Sequence, residues 1–255
     1  MLRRLHDANE EFVNYPYSVG ILGWTFMEAE NIISTIANTT LNGAVSSGAT
    51  SFTLTSGTDF DDPGGTGIAA FYIINADDII DYGTYLDRSG TSITSVAGIQ
   101  MAHLTAEEIH KVYQLPTDFG KIRQVFLEND VEYFYFDDNK RQLPPERHFM
   151  LKYFTNSTYS RSFIVFKEDI GAQTFKIYYL KKATTIDEIT DTIDAPDGAG
   201  RRFIIERMKE YVWNVLGEEN DAVIASQRAT RAIRECADKW TSAQVTPSQS
   251  INLRW

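Results

Sequence analysis

FKIYYLKKA (175–183) runs into TTIDEITDTIDAPDGAG (184–200) and then into RRFIIERMKEYVWNVLGEENDAVIASQRATRAIRECADKW (201–240). The first segment reads as a strand: aromatic and branched residues, apolar on both faces, closed by a lysine pair. The second is a linker, because Asp and Thr compete for the backbone and Pro196, Gly198 and Gly200 interrupt any regular run. The third is a helical hairpin. Ile204, Met208, Tyr211, Val212 and Val215 recur at spacings of three and four, as do Ala225, Ala229, Ile233, Cys236, Ala237 and Trp240, with Gly217 at the break. Small residues on the second helix let another helix approach closely. We therefore expect Ala225, Ala229, Ile233 and Trp240 to make contact with a neighbouring subunit.

Upstream of this stretch the pattern is largely β. LRRLHDANEEFVNYP (2–16) is the exception, a short helix with Leu2, Leu5, Ala8 and Phe12 on one stripe and Pro16 just past its end. WTFMEAENIISTIA (24–37) fits a helix or a strand, with strand favoured beyond Glu30. From 38 to 102, Gly, Ser and Thr dominate. Short alternating runs (GAVSS, GATSFTLTSG, IAAFYII, DIIDYGTYL, TSITSVAGI) are separated by tight-turn chemistry such as DDPGGTG and DRSG. In ATSFTLTS, Phe52 and Leu54 face one way and Thr53 and Thr55 the other, the period of a half-buried strand. This reads as a small antiparallel barrel or sandwich of about five to six strands, inserted into a larger fold.

LTAEEIHK (104–111) suits either a helical turn or two, or a charged approach to a strand. The β pattern then resumes through QLPTDFGKIRQVFLEND, VEYFYFDD, RHFMLKYF, SFIVFKE and AQTFKIYYL. VEYFYFDD and RHFMLKYF suggest a hairpin with its tip at 137–140, and Pro144-Pro145 suits a strand end or an edge. The expected class is α+β: an N-terminal helix and a C-terminal helical hairpin, an antiparallel sheet, and the inserted small β-barrel or sandwich. The expected boundaries are a body over 1–37 and 103–240, an inserted β module over 38–102, and an extended C-terminal tail over 241–255. That tail, TSAQVTPSQSINLRW, has no helical period and one Pro, so disorder is expected of it alone.

Composition narrows the function. The net charge is −11, from 24 basic and 35 acidic residues. Residues 201–255 hold nine Lys/Arg against seven Asp/Glu, a balance of +2, which leaves −13 for 1–200. No basic stripe exists to displace counterions from phosphates, so sequence-specific or tight DNA binding is not expected. The single cysteine, Cys236, excludes an internal disulfide. No run approaches the roughly 18 apolar residues of a membrane span, and the N-terminus lacks an apolar signal core. Synthesis in the cytoplasm and no membrane association are expected.

Chemical motifs are sparse. DFDDPGG and NADDIID cluster carboxylates, but Asp59, Asp61 and Asp62 before Pro63 lack the ligand spacing of a calcium loop and read as turn acids. His103 and His110 are seven apart and could share a helix face, yet no third ligand accompanies them. GGTG (64–67) is followed by neither GK[ST] nor a helix, GATSF is not G-x-S-x-G, and Cys236 lies on an apolar stripe where packing is the commoner role. No metal, no cofactor and no enzymatic activity are expected.

Several of these segments resemble head-to-tail connector (adaptor) proteins of tailed bacteriophages. The order of YYLKKA, an acid-rich Ile/Asp linker ending in Pro, and paired helices is similar to theirs. So is the Leu-Pro-x-Asp-Phe entry into a strand, here Leu115, Pro116, Asp118 and Phe119, and the Trp-x-Phe entry at Trp24 and Phe26. The β runs at 48–60, 78–85 and 91–99 look like small insertions in phage connector and tail proteins. The resemblance implies a structural virion protein, made in the host cytoplasm. It would form a dodecameric ring between the portal protein and tail or nozzle proteins, around DNA that passes without sequence-specific binding. It also implies an extended C-terminus on the portal, for which Ile251, Leu253, Arg254 and Trp255 are the candidate contacts. The alternative is a carbohydrate- or receptor-binding, or tail-associated, β module of a phage particle, suggested by the Tyr-rich strands.

Overall fold

The computed structural model describes residues 1–19, 23–35, 38–128, 131–136, 143–155, 159–166, 173–188, 190–196 and 198–240. The expected tip at 137–140 and the tail 241–255 lie outside them. The chain divides into two compact units. One comprises Met1–Ala29 and Tyr179–Trp255, and the other Glu30–Tyr178. The architecture is α+β, with three α-helices, one large mixed sheet and one small sheet among the described residues. Among the described residues no helix is long and apolar enough to cross a membrane.

In the first unit, α1 (Leu2–Ser18), α2 (Ala199–Leu216) and α3 (Glu219–Trp240) surround one core. Helix α1 buries Ala8 and Phe12 of the stripe anticipated from its spacing, leaves Leu2 and Leu5 partly exposed, and buries Val13 as well. It also continues through Pro16, which the sequence reading placed beyond the end. A proline lacks the N–H that would bond the carbonyl four residues back, here that of Phe12. The Trp24 indole takes that place, donating from Nε1 to the Phe12 carbonyl oxygen at 2.8 Å. Trp24 also stacks on the Phe12 ring at 4.8 Å, and Phe203 closes on Phe12 from α2 at 5.7 Å. Gly217 ends α2 in the left-handed conformation, at φ 77°, that glycine tolerates. Burial pushes the thiol of Cys236 up to about 11, so it stays protonated in this core.

The second unit is β. Its strands are β1 (Glu28–Ser34, reaching in from the first unit), β2 (Thr39–Thr40), β3 (Ser51–Thr53), β4 (Ala69–Ile74), β5 (Ile80–Tyr85), β6 (Asp87–Ser89) and β7 (Ser92–Thr94). There follow β8 (Glu108–Gln114), β9 (Phe119–Leu127), β10 (Val131–Tyr135), β11 (His148–Thr155), β12 (Ser160–Phe166) and β13 (Thr174–Lys181). The large sheet runs β1-β13-β9-β10-β11-β12-β8-β4-β5, with β2 also on β8, and the small sheet runs β3-β7-β6. The ambiguous 24–37 segment is a 3-10 turn over Thr25–Met27 and then strand from Glu28, and 104–111 is a turn leading into β8. The GAVSS run forms no strand, only a bridge from Val45 to His103.

The expected antiparallel sheet is mixed. β10 and β11 pair in parallel, Phe134 beside His148 and Tyr135 beside Phe149, so they are not the two arms of a hairpin. A parallel return needs a connection of about a dozen residues, and 136–147 supplies it. The local apolar pattern of a strand is the same in either orientation, so composition does not reveal this choice.

Strand β4 shows why AAFYII reads as a continuous apolar run. Phe71 and Ile73 pack into a core shared with Phe52, Leu54 and Ile93 of the small-sheet region, while Ala70 and Tyr72 pack on the other side with Val112, Phe163 and Val165. Directly across from Phe71 stands Gly83, where an added Cβ would lie 2.3 Å from the Phe71 ring. Only glycine leaves room for that ring.

His110 on β8 stacks face to face on Tyr72 at 4.6 Å. The Glu108 carboxylate stands 3.4 Å from its Nε2 without hydrogen-bond alignment, so that buried nitrogen has no hydrogen-bond partner. Burial lowers the imidazole from its ordinary 6.5 to about 4, against the opposing pull of Glu108. The folded protein therefore holds His110 neutral where the unfolded chain would protonate it. Stability from this residue is present above pH 6.5 and is lost as pH falls toward 4, by about 3 kcal/mol at most. A His110→Gln variant should show a flatter stability–pH curve over that interval in urea titrations, and an identical slope would contradict the assignment.

Candidate functional site

The helical hairpin turns one side inward and leaves another bare. Ala225, Ala229 and Ile233 are buried inside their own unit, and half-buried Trp240 sets its ring edge against Phe26 at 6.0 Å. These side chains are thus used, wholly or in part, in packing within the chain. The helical period finds a buried stripe but does not say which chain covers it. The α2 stripe splits in the same way. Ile204, Met208 and Tyr211 belong to the core, whereas Val212 and Val215 do not.

What remains at the surface is an apolar band around the hairpin turn. Val215 is 86% exposed and Leu216 61%, and Ile205, Val212, Val223 and Ile224 are also exposed. The band is continuous with a groove of about 720 Å³ whose lining includes Met1 and Leu5 of α1, Ile193 of the linker, and Ile204, Ile205, Met208, Val212 and Trp213 of α2. Asp191, Arg201 and Lys209 also line it. Arg207 holds α2 to α1 through its ion pair with Glu11 and pairs with Glu210 within α2.

The linker wall of that groove is held by a network that sequence reasoning missed. Asn9, fully buried on α1, donates from Nδ2 to the Asp194 carboxylate at 2.7 Å and to the Thr184 carbonyl at 3.2 Å, while its Oδ1 accepts the Asp194 N–H at 2.9 Å. Thr184 donates to the same carboxylate from its backbone N–H and its hydroxyl, both at 2.7 Å. Both ends of the 184–194 loop are thereby pinned at one point on α1. Inside the loop, the Asp191 carboxylate accepts the N–H groups of Asp187 and Glu188 at 2.7 Å. Those bonds, to Glu188 first and then Asp187, hold its carboxyl below the usual carboxylate range. An acid in a polar linker looks like a solvated residue until its partner 185 positions away is known.

Replacing Asp194 with Ala leaves buried Asn9 and the Thr184 N–H without their shared acceptor. The expected loss is about 2–4 kcal/mol, with faster amide exchange across 184–194. A thermal melt and exchange rates matching the parent protein would show that the loop is held by something else.

The other candidates serve local structure. Asp62 accepts the N–H groups of Gly64 and Arg88, the turn role expected of it, whereas Asp61 pairs with Lys111 of β8 at 2.7 Å. His103 and His110 do not share a helix. His110 is on β8, and His103 is buried between Asp81 at 3.3 Å and Glu107 at 2.8 Å. Asp81 in turn accepts the N–H groups of Gln100 and Met101 at 2.7 and 3.1 Å, so the cluster fastens the 95–107 loop to β5. Among the described residues no group of His, Cys, Asp and Glu is arranged to hold a metal ion. Ile251, Leu253, Arg254 and Trp255 lie outside the described residues. Neither a scan of protein-family models nor a search of curated proteins finds a match to this chain.

Proposed function

We propose that this protein is a structural component of a tailed-phage particle. In this reading it is a head-to-tail adaptor that assembles as a dodecameric ring between portal and tail or nozzle proteins, in the virion neck after synthesis in the host cytoplasm. The observation that carries the reading is the bare apolar band on the hairpin. A contiguous patch of this kind is characteristic of a surface made to be covered by another protein. The helices that bear it are braced from inside by Ala229 and Ile233, so the band is presented on a rigid frame. The acidic balance of residues 1–200 suits a wall past which DNA moves without being held. Residues 38–102 keep, in this reading, the place of an inserted β module, and 241–255 that of the arm reaching the portal through Ile251, Leu253, Arg254 and Trp255.

Two exposed rings favour a second reading, a carbohydrate- or receptor-binding module. Tyr135 on β10 is 54% exposed and Tyr153 on β11 is 66% exposed. Most rings of the strands are instead inside the cores, Phe71, Phe149, Phe163 and Phe175 among them, which supports the adaptor. A pull-down with portal rings separates the two. Removing 249–255, or placing Asp at Val215, should each weaken portal docking or ring formation while the helical circular dichroism is kept. Glycan binding that depends on Tyr135 and Tyr153, with no portal capture, would favour the second reading.

A further inference from the structure

Helix α2 carries two apolar faces. One, with Phe203 and Ile204, is buried in the core shared with α1 and α3. The other points away from that core: Ile205, Val212, Val215 and Leu216 are exposed, and Met208 is half-buried among them. At 3.6 residues per turn these five side chains fall within an arc of about 100°. Their spacings of three and four residues are those of a seam between helices.

The charges flanking this stripe say what covers it. Residues 199–210 hold Arg201, Arg202, Arg207 and Lys209 against Glu206 and Glu210, a balance of +2. Residues 211–224 hold no Lys or Arg and carry Glu218, Glu219 and Asp221, a balance of −3. Glu219 and Asp221 suit the start of α3, where the helix field favours acids. Arg201 and Arg202 run against the field of α2, whose positive end is its start and whose first turn holds no acid. Arg202 reaches Glu235 of α3 at 3.1 Å, and Arg201 lines the groove. A partner helix lying antiparallel over α2 with an acidic end would offset this basic start, and a second copy of α2 with its hairpin turn has that order of charge.

The register follows from the stripe. Antiparallel pairing centred at residue 210 sets Val215 over Ile205 and Val212 over Met208, apolar on apolar, and Glu219 opposite Arg201. Two-fold symmetry repeats each contact, so both ends close alike. Leu216, beside Val215, then enters the groove whose lining includes Leu5, Ile193 and Ile205. Lys209 stands next to the axis, its Nζ held by Glu206 at 2.6 Å, and its stem lies along the seam. We propose that, without portal, two copies of this chain pair antiparallel through the outer face of α2, with Arg201 and Glu219 facing each other at both ends. This goes beyond the adaptor reading and does not rest on it. In the adaptor reading the pair is the free form, and a ring neighbour or the portal takes over the same stripe.

The test is sedimentation velocity of the purified full-length chain with no portal present, so its failure leaves portal docking untouched. The mass should rise with concentration from one copy to two and stop there. Val215→Asp should raise the dissociation constant at least about tenfold by placing a charge in the seam. Arg201→Glu and Glu219→Arg should each weaken pairing about tenfold, since each turns both end contacts into like-charge pairs. An equimolar mixture of these two variants should recover the parent affinity as a heterodimer, because every end contact is then opposite in charge. Misfolding of either variant would not produce that recovery. Lys209→Cys, beside the axis, should crosslink to itself on mild oxidation, whereas Val215→Cys, whose two copies stand about 15 Å apart along the helices, should not. A single copy at every concentration, growth past two copies, no gain on mixing, or self-crosslinking of Val215→Cys would each overturn the proposal.

Discussion

Placing Asp at Ala229 should abolish the cooperative unfolding of the helical unit. Ala229 is fully buried where α3 meets the core of α1 and α2, among Phe12, Trp24 and Phe203. A carboxylate there takes the place of a fully buried methyl among apolar side chains, so a loss of at least about 4 kcal/mol is expected. That is a large share of the roughly 5–15 kcal/mol that a typical domain commands. Ile233→Asp should act alike. The control is Val215→Asp, at a side chain 86% exposed, which should melt like the parent protein and act only on assembly. A normal melt for Ala229→Asp would mean that the hairpin does not close on α1 as described.

A second large effect is expected from replacing residues 38–102 with a short Gly/Ser linker. β4 pairs with β8 from Ala70 beside Val112 to Ile74 beside Glu108. It supplies Tyr72, whose ring covers His110 and whose hydroxyl donates to the Phe166 carbonyl at 3.4 Å. Removing it bares one edge of β8 and one face of Val112, Phe163 and Val165, each of which contributes roughly 1.5–3 kcal/mol by burial. The β unit should therefore lose its cooperative transition, while α1, α2 and α3 keep their helical signal. If the strands of 103–178 still unfold cooperatively, then 38–102 is the self-contained insert suggested by its Gly, Ser and Thr content.

These two experiments also mark how far the sequence could be read. The helices declared themselves through period alone, because Phe12, Ala229 and Ile233 repeat on the scale of a helical turn. β4 did so through its unbroken apolar run, and β3 through the alternation of Phe52 with Thr53. Orientation and coverage were not legible. The parallel pairing of β10 and β11 depends on a connection and not on the strands themselves. The persistence of α1 through Pro16 depends on an indole eight residues later. The inward turn of Ala225 and Ala229, and with it the outward turn of Val215 and Leu216, depends on α1 and Phe203 arriving from elsewhere. Asn9 and Asp194 gave no local signal at all, since each is ordinary in its own segment. The helical period therefore located the buried stripe of the hairpin but not the exposed side chains of Val215 and Leu216.

The central proposal is that this chain is a ring-forming adaptor that docks on a portal. Native mass spectrometry of the purified protein, alone and mixed with portal rings, addresses it most directly. The account predicts a complex whose mass equals one portal ring plus a full ring of this chain, and loss of that complex with Val215→Asp. A chain that passes through the mixture unbound, at the same mass with and without portal, would contradict it.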